Sequence, residues 1–190
     1  MFLAHSEGDR LDAGLHFLVC GPPALSSAQR KLLLIERNQW PGRSISFTSE
    51  ELVALGMFEI NHAVPGVISQ PSLRLEQDGG TANVLVDFDR LRALQPEGSS
   101  AHDWLMSKVV TGRKPVAVSV KVTSGDGQMS IHPTSVSISG VALSGSALDF
   151  LIENLFLPHY PDAVINRPFT LPPNISKIQV SPAAALVYRR

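Results

Sequence analysis

Apolar residues recur at helical spacing in two stretches near the start of the chain. Ser26 or Ser27 can cap a first helix that runs to about Asn38. Residues 48–51, Thr-Ser-Glu-Glu, have the pattern of a capping box, in which a hydroxyl and a carboxylate bond reciprocally to free backbone amides. Residues 44–47 lie between the two helices and alternate in polarity. The pattern predicts helix, short strand and helix.

From residue 67 the period changes from that of a helix to that of a strand. Two runs alternate: Val67, Leu73 and Leu75 against Ile68, Arg74 and Glu76, then Ala82, Val84, Val86 and Phe88 against Asn83, Leu85 and Asp87. Asp78-Gly79-Gly80 between them is a typical turn sequence. This stretch predicts a β-hairpin.

A second hairpin is predicted over residues 116–138. Its first strand has a valine face, made of Val116, Val118, Val120 and Val122. The chain then turns at residues 124–127, and the returning apolar residues change phase between Ile131 and Val136. The change falls at Pro133-Thr134, and a proline removes a ladder donor, so we expect a bulge or an edge position there.

The last part of the chain predicts a turn, a helix and short strands. Residues 140–145 are interpreted as the turn. The following helix has a wide apolar stripe, made of Leu148, Leu151, Ile152, Leu155 and Phe156. A strand near Ile178 and a returning strand near Val187 close the chain. We therefore expect an irregular segment over residues 1–24 and one α+β domain over residues 25–190, with an antiparallel sheet of hairpins.

Composition excludes several classes of protein. The 190 residues are 44% hydrophobic, which suits a folded domain, and 17% charged, which is low against a typical share of about 25%. With 16 basic and 17 acidic residues the net charge is −1, which argues against a general nucleic-acid binder. The single cysteine, Cys20, allows neither an internal disulfide nor a cysteine zinc cluster. No apolar run is long enough to predict a transmembrane helix.

Catalytic patterns are missing from the sequence. The six histidines show no metal-binding spacing, and neither a nucleophile elbow nor a phosphate-binding loop occurs. Asp87 and Asp89 could form a carboxylate pair, but both fit the solvent face at the end of a strand. We expect a protein that is not an enzyme and holds no metal or cofactor. The alternative, an enzyme whose site leaves no trace in the sequence, is kept beside the two non-enzymatic functions described below.

Residues 15–20 form a short apolar stretch that ends at Cys20 and is followed by Gly21-Pro22-Pro23. A secretory signal has a basic start and an apolar core of roughly 7–15 residues, so this stretch is a poor one. It is either a tail or short strand with a buried cysteine, or a degraded export signal. A cytoplasmic location therefore stays open.

The order of several segments resembles a family of uncharacterised bacterial envelope proteins. These segments are FTSEELVAL, VPGVISQPSLRLEQDGGTANVLVDFDRL, GRKPVAVSVKVTSGDGQMSIHPTSVSISGVALSGSALDFLIENL and FTLPPNISKIQVSPAAALV, within residues 44–188. More loosely, the chain is similar to LmeA-like phospholipid-binding proteins and YceB-type lipoproteins, which are related to tubular lipid-binding (TULIP) folds. The resemblance implies a bent antiparallel sheet wrapped on one or two helices, with a hydrophobic groove. It also implies a place in the periplasm or cell envelope.

Two functions fit these expectations. In the first, a lipid or acyl chain lies in a groove between sheet and helix, lined by Val116, Val118, Val120, Leu148, Leu151, Ile152, Leu155 and Phe156. In the second, the same side chains form a fully packed core, and the protein is a structural or partner-binding envelope protein. Sequence alone does not separate them, because a core and a lipid groove use the same side chains.

Overall fold

The computed structural model describes residues 23–94, 111–143, 145, 148–149, 152–153 and 164–190. Its elements are α1 (Pro23–Glu36), β1 (Ser44–Phe47), α2 (Ser49–Ala63), β2 (Ile68–Glu76), β3 (Gly79–Asp87), α3 (Phe88–Ala93), β4 (Arg113–Gly125), β5 (Gln128–Ile138), β6 (Val141–Leu143), β7 (Phe169–Thr170), β8 (Ile175–Val180) and β9 (Ala185–Arg189). The strands form two sheets in which every pair is antiparallel. The expected α+β class with an antiparallel sheet of hairpins is confirmed.

The main sheet has the strand order β2-β3-β4-β5-β6, and β7 pairs with the start of β5. The small sheet has the order β1-β9-β8. Its strands come from both ends of the described chain, so β9 lies between β1 and β8. Within the described ranges the main sheet is open, because β2 and β6 lie at its opposite edges.

Helix α1 begins earlier than its sequence predicts. Pro23, not Ser26 or Ser27, stands at its start, because the first turn of a helix needs no backbone donor and favours the fixed φ of proline. The helix ends at Glu36, two residues before the expected end. Asn38 adopts a left-handed conformation with a φ of 53°, and such a residue commonly ends a helix.

The capping box of α2 is confirmed. The Thr48 hydroxyl accepts from the Glu51 N–H at 3.3 Å, and the Glu51 carboxylate accepts from the Thr48 N–H at 2.9 Å. The helix runs to Ala63, and Pro65 follows closely. This local chemistry fixes where α2 starts, and with it the position of Glu51 against α1.

The first hairpin is confirmed, with two corrections. A bulge between Ser69 and Ser72 adds one residue to β2, so Ile68 lies on the same face as Leu73 and not on the opposite one. Phe88, expected as the last residue of the strand, is the first residue of α3. The cause is Asp87, whose carboxylate accepts from the Arg90 N–H at 3.0 Å and caps the helix.

The second hairpin has the predicted bulge. Ser119 pairs with Ser135 and Val120 with Pro133, so Thr134 is the additional residue in β5. Its hydroxyl donates to the Ser119 carbonyl at 3.2 Å. Residues 129 and 131 therefore project on the same face as residues 136 and 138, as expected from the change of phase.

Residues 140–145 are not simply a turn, which corrects the sequence prediction. The hairpin turn that precedes β6 consists of Ser139 and Gly140, which have φ values of 52° and 81°. Two residues with positive φ give the tight turn whose twist matches that of paired strands. The chain then returns as β6, in which Val141 pairs with Ile138.

Three clusters of buried apolar side chains hold the elements together. The first lies between α1, α2 and the small sheet and includes Ala28, Trp40 and Phe47. The second lies at the end of α2 and around α3, and the third between β2 and the small sheet. Backbone bonds join the two sheets: the Gly127 N–H donates to the Ser176 carbonyl at 2.8 Å.

Candidate functional site: the apolar face of the main sheet

One face of the main sheet is apolar across all five strands. Directly paired residues in antiparallel strands project on the same face, so the register defines rows that cross the sheet. There are four such rows: Val84, Val116, Ile138 and Val141; Leu73, Ala82, Val118, Val136 and Leu143; Leu75, Gly80, Val120 and Pro133; Val122 and Ile131. We call these residues the apolar face.

The opposite face of the same sheet is polar. Its rows contain hydroxyl, amide and charged side chains, including Arg74, Thr81, Asn83, Ser119, Lys121, His132, Ser135 and Ser137. Thr81 and Ser119 bond to each other through their hydroxyls at 3.0 Å. A sheet with one apolar and one polar face is typical of a layer that buries one side only.

The two ends of the apolar face are covered by other elements. At one end Val84, Val116 and Ile138 pack on the cluster that contains Val64 and Phe88. At the other end Leu73 and Val122 pack with a cluster that contains Val180 and Ala185 of the small sheet. In the part of the chain that the structure describes, Val118 and Val120 belong to none of the three clusters, and both are only half-buried.

The structure brings together the strand half of the predicted site. Val116, Val118 and Val120 follow one another along the same side of β4, as the period of two predicts. Leu148 is buried and Ile152 is half-buried. Leu151, Leu155 and Phe156 lie outside the described residues, and so does most of the predicted helix.

Sequence reasoning missed the outer part of the site. Leu143 and Val141 belong to β6, which was interpreted as a turn, and the pairing of Val136 with Leu143 adds them to the face. Ile68 was assigned to the wrong face. Two features of the sequence could have indicated these elements. Ser139-Gly140 is a turn dipeptide followed by three apolar residues, which favours a strand at β6. Pro71 interrupts an otherwise regular strand, which favours a bulge in β2.

The apolar face carries no group for acid–base chemistry. None of the residues in its four rows has an ionisable side chain, and the nearest row beyond them contains Lys114. Nor do any three His, Cys, Asp or Glu side chains in the described ranges lie close enough together to hold a metal ion. What this face can do is exclude water from an apolar partner.

The buried carboxylate of Glu51 lies away from this face, between α1 and α2. Its oxygens accept from the Ser27 hydroxyl at 2.6 Å and from Lys31 Nζ at 2.6 Å, in addition to the Thr48 N–H. Burial alone raises the pKa of Glu51, but hydrogen bonds from Lys31, Ser27 and the Thr48 backbone, with the charge of Lys31, outweigh it, so the pKa lies below the usual value. Each oxygen is satisfied by this network, which makes Glu51 a tie between helices.

Comparison of the chain with protein-family models, curated proteins and solved structures finds no match. Among the helices described, none combines the length and the apolar character needed to cross a lipid bilayer.

Proposed function

We propose that this protein is a non-enzymatic envelope protein that holds a lipid or another hydrophobic ligand against the apolar face. The observation that carries the proposal is the state of this face: it is free of ionisable groups, covered at both ends, and only half-buried at Val118 and Val120. An acyl chain is a narrow apolar body, and its burial against such a strip is favourable in proportion to the area removed from water.

In this proposal the main sheet and the segment that contains Leu148 and Ile152 act as a half barrel of the TULIP kind. The ligand lies along β4, with the valines of that strand on one side and the segment that contains Leu148 and Ile152 on the other. The resemblance to LmeA-like and YceB-type proteins supports this assignment and the envelope location. The lack of ionisable groups on the face supports a holding function over catalysis.

A second function is favoured by the burial of Val136, a residue within the apolar face that is only 9% exposed. If the whole face is covered in this way, the site is a packed core. The protein is then a structural or partner-binding envelope component that has no ligand.

Fluorescent fatty-acid binding distinguishes the two functions. We expect the wild-type protein to bind the probe and Val118→Gln to remain folded but bind at least tenfold more weakly. A glutamine there faces the ligand and places a polar amide against its chain. The matched control is Ser119→Gln, one residue away on the polar face, which should bind as the wild type does.

The result that contradicts the proposal is equally clear. In a packed core Val118→Gln leaves an amide without partners and costs about 1–3 kcal/mol in addition to lost packing. A wild-type protein that takes up no probe, together with a Val118→Gln variant of much lower stability, would establish the packed core.

A further inference from the structure

Basic residues are concentrated in two segments that the fold brings together. Residues 23–47 and 164–190 contain 8 of the 16 basic residues but only one acidic residue, Glu36. The rest of the chain therefore carries 8 basic and 16 acidic residues. The two segments supply α1 and all three strands of the small sheet, so the net charge of −1 conceals two regions of opposite sign.

Five of these cations gather at one end of the small sheet, where α1 ends, β1 and β8 begin and β9 ends. They are Arg37, Arg43, Lys177, Arg189 and Arg190, and we call them the basic end. All five are exposed.

The ends of the helix and strands that carry these cations are hydrogen-bonded to one another. The Arg189 N–H donates to the Arg43 carbonyl at 2.9 Å, and the Arg190 N–H donates to the Asn174 carbonyl at 3.0 Å. Asn174 Nδ2 in turn donates to the Ile35 carbonyl at 2.5 Å, which ties β8 to the end of α1. The backbone therefore holds the basic end together although its residues are far apart in sequence.

The cations of the basic end form no ion pair in the described structure. The ion pairs of the described ranges involve other cations, namely Lys31, Arg74, Arg92 and Arg113. Glu36, which is adjacent to Arg37 in the chain, forms no ion pair with any of these five side chains within the described ranges. Like charges without counter-charges repel one another, so a folded end of this kind is stabilised by an anionic partner.

We propose that the basic end docks the protein onto an anionic lipid surface. Four of its five cations are arginines, whose forked donors bind phosphate oxygens in pairs. The two segments that supply this end carry 8 basic residues and one acidic residue, and the rest of the chain carries 8 basic and 16 acidic residues, so an anionic surface attracts the protein most strongly at this end. The proposal does not depend on a ligand at the apolar face, because no residue is shared between the two sites.

A membrane surface fits the basic end better than a nucleic acid does. Proteins that bind single strands stack bases on exposed aromatic rings along a basic groove. The ring beside these cations, Tyr188, is already covered by Lys177 Nζ, which lies 4.7 Å from its centroid. A flat layer of phosphates needs no such ring, since the attraction depends only on charge near the surface.

Co-sedimentation with lipid vesicles tests the proposal on the full chain. The vesicles are phosphatidylcholine alone, or phosphatidylcholine mixed with phosphatidylglycerol. One variant combines Arg43→Gln with Arg189→Gln. The matched control combines Arg74→Gln with Lys121→Gln, which removes the same charge from the polar face of the main sheet. Circular dichroism and thermal unfolding establish that both variants are folded.

We expect binding to the mixed vesicles, none to phosphatidylcholine alone, and weaker binding as salt is raised. Each cation near an anionic surface contributes about a fivefold gain in affinity, so the double variant should bind roughly 25-fold more weakly. The control should bind as the wild type does.

Three results overturn the proposal. They are a lack of binding to the mixed vesicles, equal binding to both kinds of vesicle, and an equal loss in the control. Tight binding of a single-stranded oligonucleotide in fluorescence anisotropy, without vesicle binding, would replace the membrane with a nucleic acid. Fatty-acid uptake is measured separately, so failure of one site is distinguishable from failure of the other.

Discussion

At the scale of single residues, Glu51 has two functions within one side chain. One carboxylate oxygen completes the capping box of α2, and the same group receives Lys31 and Ser27 from α1. Lys31 also donates to the Ser46 carbonyl at 2.7 Å, so β1 joins the two helices. A buried charge is tolerated only where it is paired and fully hydrogen-bonded, and Glu51 meets both conditions.

Glu51→Gln is expected to lower stability by about 1–3 kcal/mol at neutral pH, because the amide turns a donor toward groups that are themselves donors. The folded-state pKa of Glu51 is lowered, so its contribution is present above the unfolded-state pKa and is lost as pH falls through the folded-state value. The difference between variant and wild type should therefore shrink in acid. Urea unfolding from neutral to acid pH measures it.

The control for this prediction is Glu59→Gln, an exposed glutamate of the same helix, which should change stability by less than about 0.5 kcal/mol. A difference between Glu51→Gln and the wild type that stays constant with pH would contradict the assigned charge network.

At the scale of elements, the parts predicted correctly are those fixed by a few neighbouring residues. The Thr48 capping box, the Asp126-Gly127 turn and the Pro133 bulge are of this kind, since each depends on local hydrogen-bonding chemistry. The bulge near Gln70 and the strand β6 were missed. Gln70 and Ser139 adopt positive φ values of 50° and 52°, which their residue types do not favour and which strand pairing imposes.

The hairpin glycines give a test at this scale. A Cβ on Gly79 would collide with the carbonyl oxygen of Val120, although Gly79 itself is in an ordinary strand conformation. Gly79→Ala should therefore push β3 away from β4 and cost about 1–3 kcal/mol. Thermal unfolding measures the loss. Gly125→Ala is the control, because nothing lies within 4 Å of its Cβ position, and equal stability of the two variants would show that the pairing of β3 and β4 is wrong.

At the scale of the whole molecule, two surfaces arise that no single segment contains. The apolar face needs the register of five strands, and period two predicted its valine row but not the elements that cover its ends. The basic end combines residues from α1, β1, β8 and β9, and the nearly balanced total charge concealed it. Such features depend on tertiary contacts between distant segments, which a linear pattern does not encode. Counting the charged residues segment by segment would have indicated the basic end.

Native mass spectrometry of the freshly purified protein tests the central claim most directly. If the apolar face holds a lipid, the spectrum of the wild-type chain should show an adduct of additional mass. Organic extraction should release a lipid of that mass. The Val118→Gln variant should show no such adduct. Ser119→Gln should retain the adduct. The account is contradicted if the wild-type chain carries no lipid and takes up none when fatty acid or phospholipid is added before the measurement.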